Sequence, residues 1–199
     1  MVIREKFNNQ FKDFDITKDL SKITHTDVQR ALEGKLGAQF WAIYASCETN
    51  GKDALRVHME QAEVIKRIIM ENPKYFEFVK SADELRKAFK NKKIASLLGL
   101  ESGHAIESSL SILRIYYIIG VRYMTLTHNC NNPWSTNHQV DSDPTSEMAK
   151  RGLSEFGKMV IKEMNRLGML IDLSHTSYQT QVDSLKHSKS PVMFSHSSV

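Results

Sequence analysis

The sequence predicts an α/β protein of the (β/α)8, or TIM-barrel, type, of which about five strands are present. Two observations carry that reading. From residue 36 onward short apolar runs alternate with longer amphipathic stretches, as βα units do when their strands are buried on both faces. Four consecutive runs also end on a residue able to bind a metal ion: Glu101, His128, His175 and His196. A barrel gathers its site at the C-terminal ends of its strands, aimed at one axis, and so unites side chains remote in sequence. A doubly wound sheet gathers only those beside its switch point. Such barrels run to ~250 residues with eight strands, so five strands make an incomplete one. No low-complexity linker or internal repeat interrupts the 199 residues, which read as a single domain.

The elements follow in order. The five strand candidates are residues 36–44, 94–100, 121–127, 169–174 and 191–195. A first helix over residues 53–71 sets Leu55, Met59, Ala62, Ile65 and Ile69 at spacings of three and four, and stops before Pro73. Ser81 with Glu84 spells a capping box for the next. Residues 110–119 form a mostly apolar helix closed by Gly120. Ser154 caps a fourth, with Phe156, Val160, Met164 and Leu167 on one side and Gly168 as its stop. Residues 177–186 form a fifth.

Composition bounds the rest. At 41% hydrophobic and 25% charged, with 9 Gly and 4 Pro, the chain is a folded globular protein, neither disordered, collagen-like nor disulfide-dense. The balance of 27 basic against 23 acidic residues leaves +4, spread among mixed charges. The tightest basic cluster, Arg86, Lys87, Lys90, Lys92 and Lys93, lacks an aromatic stacking motif and reads as a solvated face, so no nucleic-acid partner is expected. The longest apolar stretch, residues 115–121, lies between Arg114 and Arg122 and falls far short of the ~20 residues that cross a bilayer. Arg4, Glu5 and Lys6 directly follow Met1, Val2 and Ile3, and the chain closes on Ser197, Ser198 and Val199, so neither a signal-peptide core nor an anchor-addition tail is expected in these residues.

One histidine at a strand end is commonly structural, but three and a glutamate at the same phase of successive strands point to a shared metal site. Imidazole and carboxylate without thiolate suit Zn²⁺ or a similar divalent ion in an open catalytic site. The chemistry that follows is hydrolysis, because a metal lowers the pKa of bound water from 15.7 to about 7. His25 and Asp27 form a His-x-Asp pattern, but they follow a polar stretch outside any strand and read as a loop or cap. His104, three residues past Glu101, is placed to orient the loop or a ligand. His58, His138 and His187 read as solvent-facing or loop residues. Cys47 and Cys130 each follow a strand; they are either two separate buried thiols or a bridge, in which case the closed loop is worth up to about 4.5 kcal/mol.

The stretches GAQFWAIYASC (37–47), ASLLGLESGHAIESSL (95–110), RYMTLTHNCNNPW (122–134), GMLIDLSHTS (168–177) and PVMFSHSS (191–198) closely resemble the membrane dipeptidase, or renal dipeptidase, family, in order and over nearly the whole chain. The resemblance implies a zinc metallopeptidase barrel that hydrolyses the peptide bond of dipeptides through a metal-bound hydroxide, with two zinc ions per complete enzyme. Glu101 matches the glutamate that bridges both ions, and His175 and His196 match the pair holding the second. His128 matches the histidine that contacts substrate and stabilises the tetrahedral oxyanion. Cys47 and Cys130 sit where animal members carry a disulfide. The resemblance also implies a homodimer lipid-anchored on the outer face of the plasma membrane. By it, the strand carrying the first ion's His-x-Asp pair precedes residue 1. The substrate-binding arginine, strands seven and eight and a proton-shuttling acid follow residue 199. Strands two to six are therefore expected here, with at most one weak zinc site. A catalytically inactive barrel that serves as a binding partner is the alternative.

Overall fold

The computed structural model describes residues 2–197, so Ser198 and Val199 of the C-terminal expectation and Met1 of the N-terminal one lie outside the described residues. The chain divides into two compact units. One takes the chain up to Ile43 together with Met59–Leu98; the other takes Tyr44–His58 and the chain from Gly99 onward.

The first unit contains α1 (Val2–Phe7), α2 (Val28–Glu33), β1 (Ala38–Tyr44), most of α3 (Ala54–Glu71), β2 (Phe76–Phe78), α4 (Ala82–Lys90) and most of β3 (Ile94–Glu101). β2 runs parallel to β3, with Phe76 opposite Ile94 and Phe78 opposite Ser96. The Ala95 N–H reaches the Gly37 carbonyl, just ahead of β1, at 3.0 Å. β3 is buried along almost its whole length, as its unbroken apolar run requires. Val79, Ala88, Ala95 and Leu97 form a buried cluster against which Phe40 and Leu85 pack. Ser81 caps α4 by accepting from the Glu84 N–H; Glu84 in return reaches the Lys80 N–H at 2.6 Å, one residue outside the expected capping box. β2, α1 and α2 are absent from the sequence reading because three to six residues are too few to show a period.

The His-x-Asp pattern belongs to this unit and is a cap. Asp27 is fully buried at the N-cap of α2, where its carboxylate accepts from the N–H groups of Leu20 and Arg30 at 3.0 and 2.9 Å and from the Arg30 guanidinium at 2.7 Å. His25 is exposed in the preceding loop.

The second unit holds α5 (Leu110–Ile119), β4 (Val121–Thr125), α6 (Glu155–Leu167), β5 (Leu170–Asp172), α7 (Tyr178–His187) and β6 (Val192–Met193), with three short 3-10 turns at Cys47–Thr49, Gly103–Ile106 and His138–Ser142. Its strands follow the end of β3 in the order β4, β5, β6. They are parallel: Tyr123 lies opposite Leu170, Thr125 opposite Asp172, and Asp172 opposite Met193. The expected helix ends hold. Ser154 and Ser177 accept backbone hydrogen bonds as N-caps, and Gly120 and Gly168 close their helices at φ 113° and 75°, where a side chain is strained. Gly99 is required by packing, since a Cβ there would stand 2.1 Å from the Tyr123 ring. The apolar runs at β4, β5 and β6 extend two residues past the strands; Leu126 and Leu173 stay buried while the chain leaves the ladder to present the residues that follow.

Candidate metal centre

Glu101 closes β3, and His128, His175 and His196 come three residues after the ends of β4, β5 and β6. Because those strands are parallel neighbours, their C-terminal ends lie on one side, and the four side chains meet. His196 Nε2 is 3.2 Å from Glu101 Oε1, His175 Nε2 is 3.7 Å from the same oxygen, and the two Nε2 atoms are 2.8 Å apart. His128 Nε2 lies 3.9 Å from Glu101 Oε1, and its ring is 4.3 Å from that of His175 and 4.8 Å from that of Tyr44.

These separations fit one ion. Metal–ligand bonds of about 2.0–2.1 Å in tetrahedral geometry put ligand atoms roughly 3.3–3.4 Å apart. The triangle of Glu101, His175 and His196 has edges of 3.2, 3.7 and 2.8 Å, scattered about that value. Glu101, His128 and His175 also offer three ligand atoms, but within the wider limit of 4.8 Å of one another. Glu101, His175 and His196 are the tighter set, and His128 stands beside them. The donor chemistry agrees. His175 Nδ1 is 3.0 Å from Asn129 Oδ1; an amide oxygen only accepts, so Nδ1 carries the hydrogen and Nε2 turns its lone pair to the cluster.

The electrostatics keep His175 and His128 neutral. Burial, reinforced by His128, His196 and His138, pushes His175 down to about 4. Burial first, then His104, His196 and His138, lowers His128. Glu101 is raised by burial, with His196 opposing and Asp172 adding to the shift. His175 also sits at φ 63°, in the left-handed region, held there by hydrogen bonds to its carbonyl from the His138 N–H at 2.8 Å and Thr127 Oγ1 at 3.2 Å. Ser102, directly after Glu101, has φ 133°. Backbone strain thus flanks the cluster.

The remaining sequence candidates find these places. Cys47 and Cys130 are disulfide-bonded, with Cα atoms 5.9 Å apart, and fasten the turn after β1 to the loop that carries Asn129. His104 is buried; its Nδ1 pairs with Ser102 Oγ and its Nε2 is 3.4 Å from Thr49 Oγ1. His138 is exposed in its 3-10 turn beside His175, and His187 ends α7 half-buried. His58 corrects the sequence reading: it is fully buried, not solvent-facing. The inner stripe of α3 keeps Ala62, Ile65 and Ile69 of the expected one and departs from it in the first turns, where Ala54, Val57 and His58 are buried while Leu55 and Met59 are only half-buried; the His58 Nδ1–H is satisfied by the Ala54 carbonyl at 2.7 Å. Burial pushes His58 down to about 4. Sequence reasoning passed over Asn129, Asp172 and Ser195. The available signal was Asp172, a charge inside the apolar run Leu170–Asp172 and its successor Leu173.

Residues 1–199 match the family described as Membrane dipeptidase (Peptidase family M19). The chain is similar to Dipeptidase 3 of Mus musculus, at 40% identity over 202 residues, which is 99% of this chain and 38% of the mouse protein. It therefore spans well under half the length of that curated relative. Among solved structures it is similar to an amidohydrolase from Pseudomonas aeruginosa, with TM-score 0.72 at 25% identity over 85% of this chain and 48% of that one. It is also similar to a metallopeptidase from Rhodobacter sphaeroides bound to a phosphinate mimic of the dipeptide L-Ala-D-Ala, with TM-score 0.81 at 20% identity over 98% and 61% of the two chains. At 20% identity that second likeness is one of fold.

Proposed function

The chain belongs to the membrane dipeptidase family, and on that premise we propose that Glu101, His175 and His196 hold one zinc ion in a centre for dipeptide hydrolysis. The convergence of one carboxylate oxygen and two imidazole Nε2 atoms at 2.8–3.7 Å from one another is the observation that supports it. When bound, the ion supplies Lewis acidity toward a carbonyl and an acidified water. The protein's part is positional. Glu101 brings the negative charge, and its partial burial makes that charge depend on a cation beside it. His175 and His196 bring imidazole nitrogens. His128, steadied between the rings of Tyr44 and His175, is placed to hydrogen-bond the carbonyl oxygen of a substrate as negative charge gathers there.

For the complete protein we carry over dipeptide substrates, including those with a D-residue second, a second zinc ion, a homodimer and lipid anchorage at the outer membrane face. Among the described residues no helix is long and apolar enough to cross a membrane. The test is made on this chain. Elemental analysis is expected to find one weakly held zinc, lost in Glu101→Gln and His175→Ala. Incubation with Ala-D-Ala reads activity directly: amino acid release abolished by a chelator marks an active centre, and zinc binding without release marks the inactive alternative. Two tightly held zinc ions, or none, overturn the one-ion reading.

A further inference from the structure

We propose that Ser195, backed by the buried Asp172, is a positioning residue that sets the hydrogen on His196 and so turns the bare Nε2 toward the ion. The proposal deepens the zinc-site reading above and rests on it for its purpose, though its geometry stands alone. Asp172 ends β5 and is fully buried. Its carboxylate accepts four hydrogen bonds. Oδ1 takes the N–H groups of Ser174 and Ser195 at 3.1 and 2.9 Å, and Oδ2 takes the hydroxyls of Thr125 and Ser195, both at 2.6 Å.

The rest is a count of hydrogens. A serine hydroxyl has one hydrogen, and Ser195 gives it to Asp172. His196 Nδ1 lies 2.7 Å from the same Ser195 oxygen, which has no second hydrogen to offer, so Nδ1–H is the donor and Nε2 keeps its lone pair. That lone pair faces Glu101 Oε1 at 3.2 Å and the equally bare His175 Nε2 at 2.8 Å, three acceptors with no hydrogen between them, an arrangement that a cation at their centre relieves. The competing acceptors for the Ser195 hydrogen, Ser174 Oγ at 3.3 Å and the Tyr123 hydroxyl, are uncharged and lose to the carboxylate. A carboxylate that fixes the tautomer of a ligating histidine is a general device; here one hydroxyl is inserted between them. His196 needs such a tether more than its partners do, because its side chain is 46% exposed against 19% for His175 and 17% for Glu101. Packing helps to hold those two, with Asn129 bonded to His175 as well, whereas His196 depends on its hydrogen bond to Ser195.

The experiment compares the chain with Ser195→Ala and Ser195→Thr, each labelled with ¹⁵N-histidine. Long-range ¹H–¹⁵N spectra at pH 8 read the tautomer without metal, and zinc affinity is read by competition with a chromogenic chelator. The parent chain is expected to hold His196 as the Nδ1–H form, S195A to mix both tautomers and bind zinc roughly 10- to 100-fold more weakly, and S195T to return to within about threefold. An Nε2–H form of His196 in the parent chain overturns the proposal even if S195A does not fold, and so does an S195A chain with unchanged tautomer and affinity. If the parent binds no zinc at all, the metal reading fails, while the tautomer comparison still decides this one.

Discussion

Asp27 and Asp172 are fully buried carboxylates, one in each compact unit. The donors around Asp27 are two N–H groups and the Arg30 guanidinium, which hydrogen-bonds onward to the Thr24 carbonyl at 2.8 Å, so the chain of contacts closes within its own loop. Around Asp172 the donors lead through Ser195 to His196 and from there to Glu101. The first carboxylate builds a loop and the second aims a ligand. What separates them is where their hydrogen bonds end, which neither burial nor a local motif discloses.

The largest effect that sharpens this contrast is removal of the Cys47–Cys130 bridge, whose cysteines both belong to the second unit and stand 83 residues apart in sequence. Urea unfolding of the reduced chain is expected to show a loss of up to about 4.5 kcal/mol, with zinc affinity falling as the Asn129 loop loosens. Next come the two aspartates themselves. Asp27→Ala leaves the Arg30 N–H at the helix entry and the Leu20 N–H in the preceding loop without their acceptor and is expected to lower the unfolding midpoint by roughly 4–8 °C, while zinc affinity, read by chelator competition, stays as in the parent. Asp172→Asn is expected to lower both. Equal zinc affinity in the two variants would break the comparison.

The smallest effect is a pH dependence carried by the second unit. Folded His58 stays neutral down to about pH 4, whereas unfolded histidine takes a proton near 6.5. Stability is thus full above about pH 6.5 and falls as pH drops from there toward 4. For His58 alone the loss between pH 7.5 and 5.5 is about 1.3 kcal/mol. Thermal unfolding at the two pH values should show it in the parent and lose that share in His58→Leu.

How far the sequence carries differs by scale. The caps Ser81, Ser154 and Ser177 and the stops Gly120 and Gly168 are local signals and land where expected; Glu101 ends its strand, while His128, His175 and His196 come three residues beyond theirs. β2 is three residues long and shows no period. His58 was misplaced because Leu55 and Met59 imitate an inner stripe while the helix turns Val57 and His58 inward. Asp172 hid inside an apolar run, and the tautomers of His175 and His196 depend on Asn129 and Ser195, partners fixed only once the loops have folded.

Zinc-edge X-ray absorption of the chain loaded with one equivalent of zinc tests the central claim most directly. Two imidazole nitrogens and oxygen ligands, with one imidazole lost in His196→Ala and the oxygen shell altered in Glu101→Gln, are the expected result. A spectrum that neither substitution changes would contradict it.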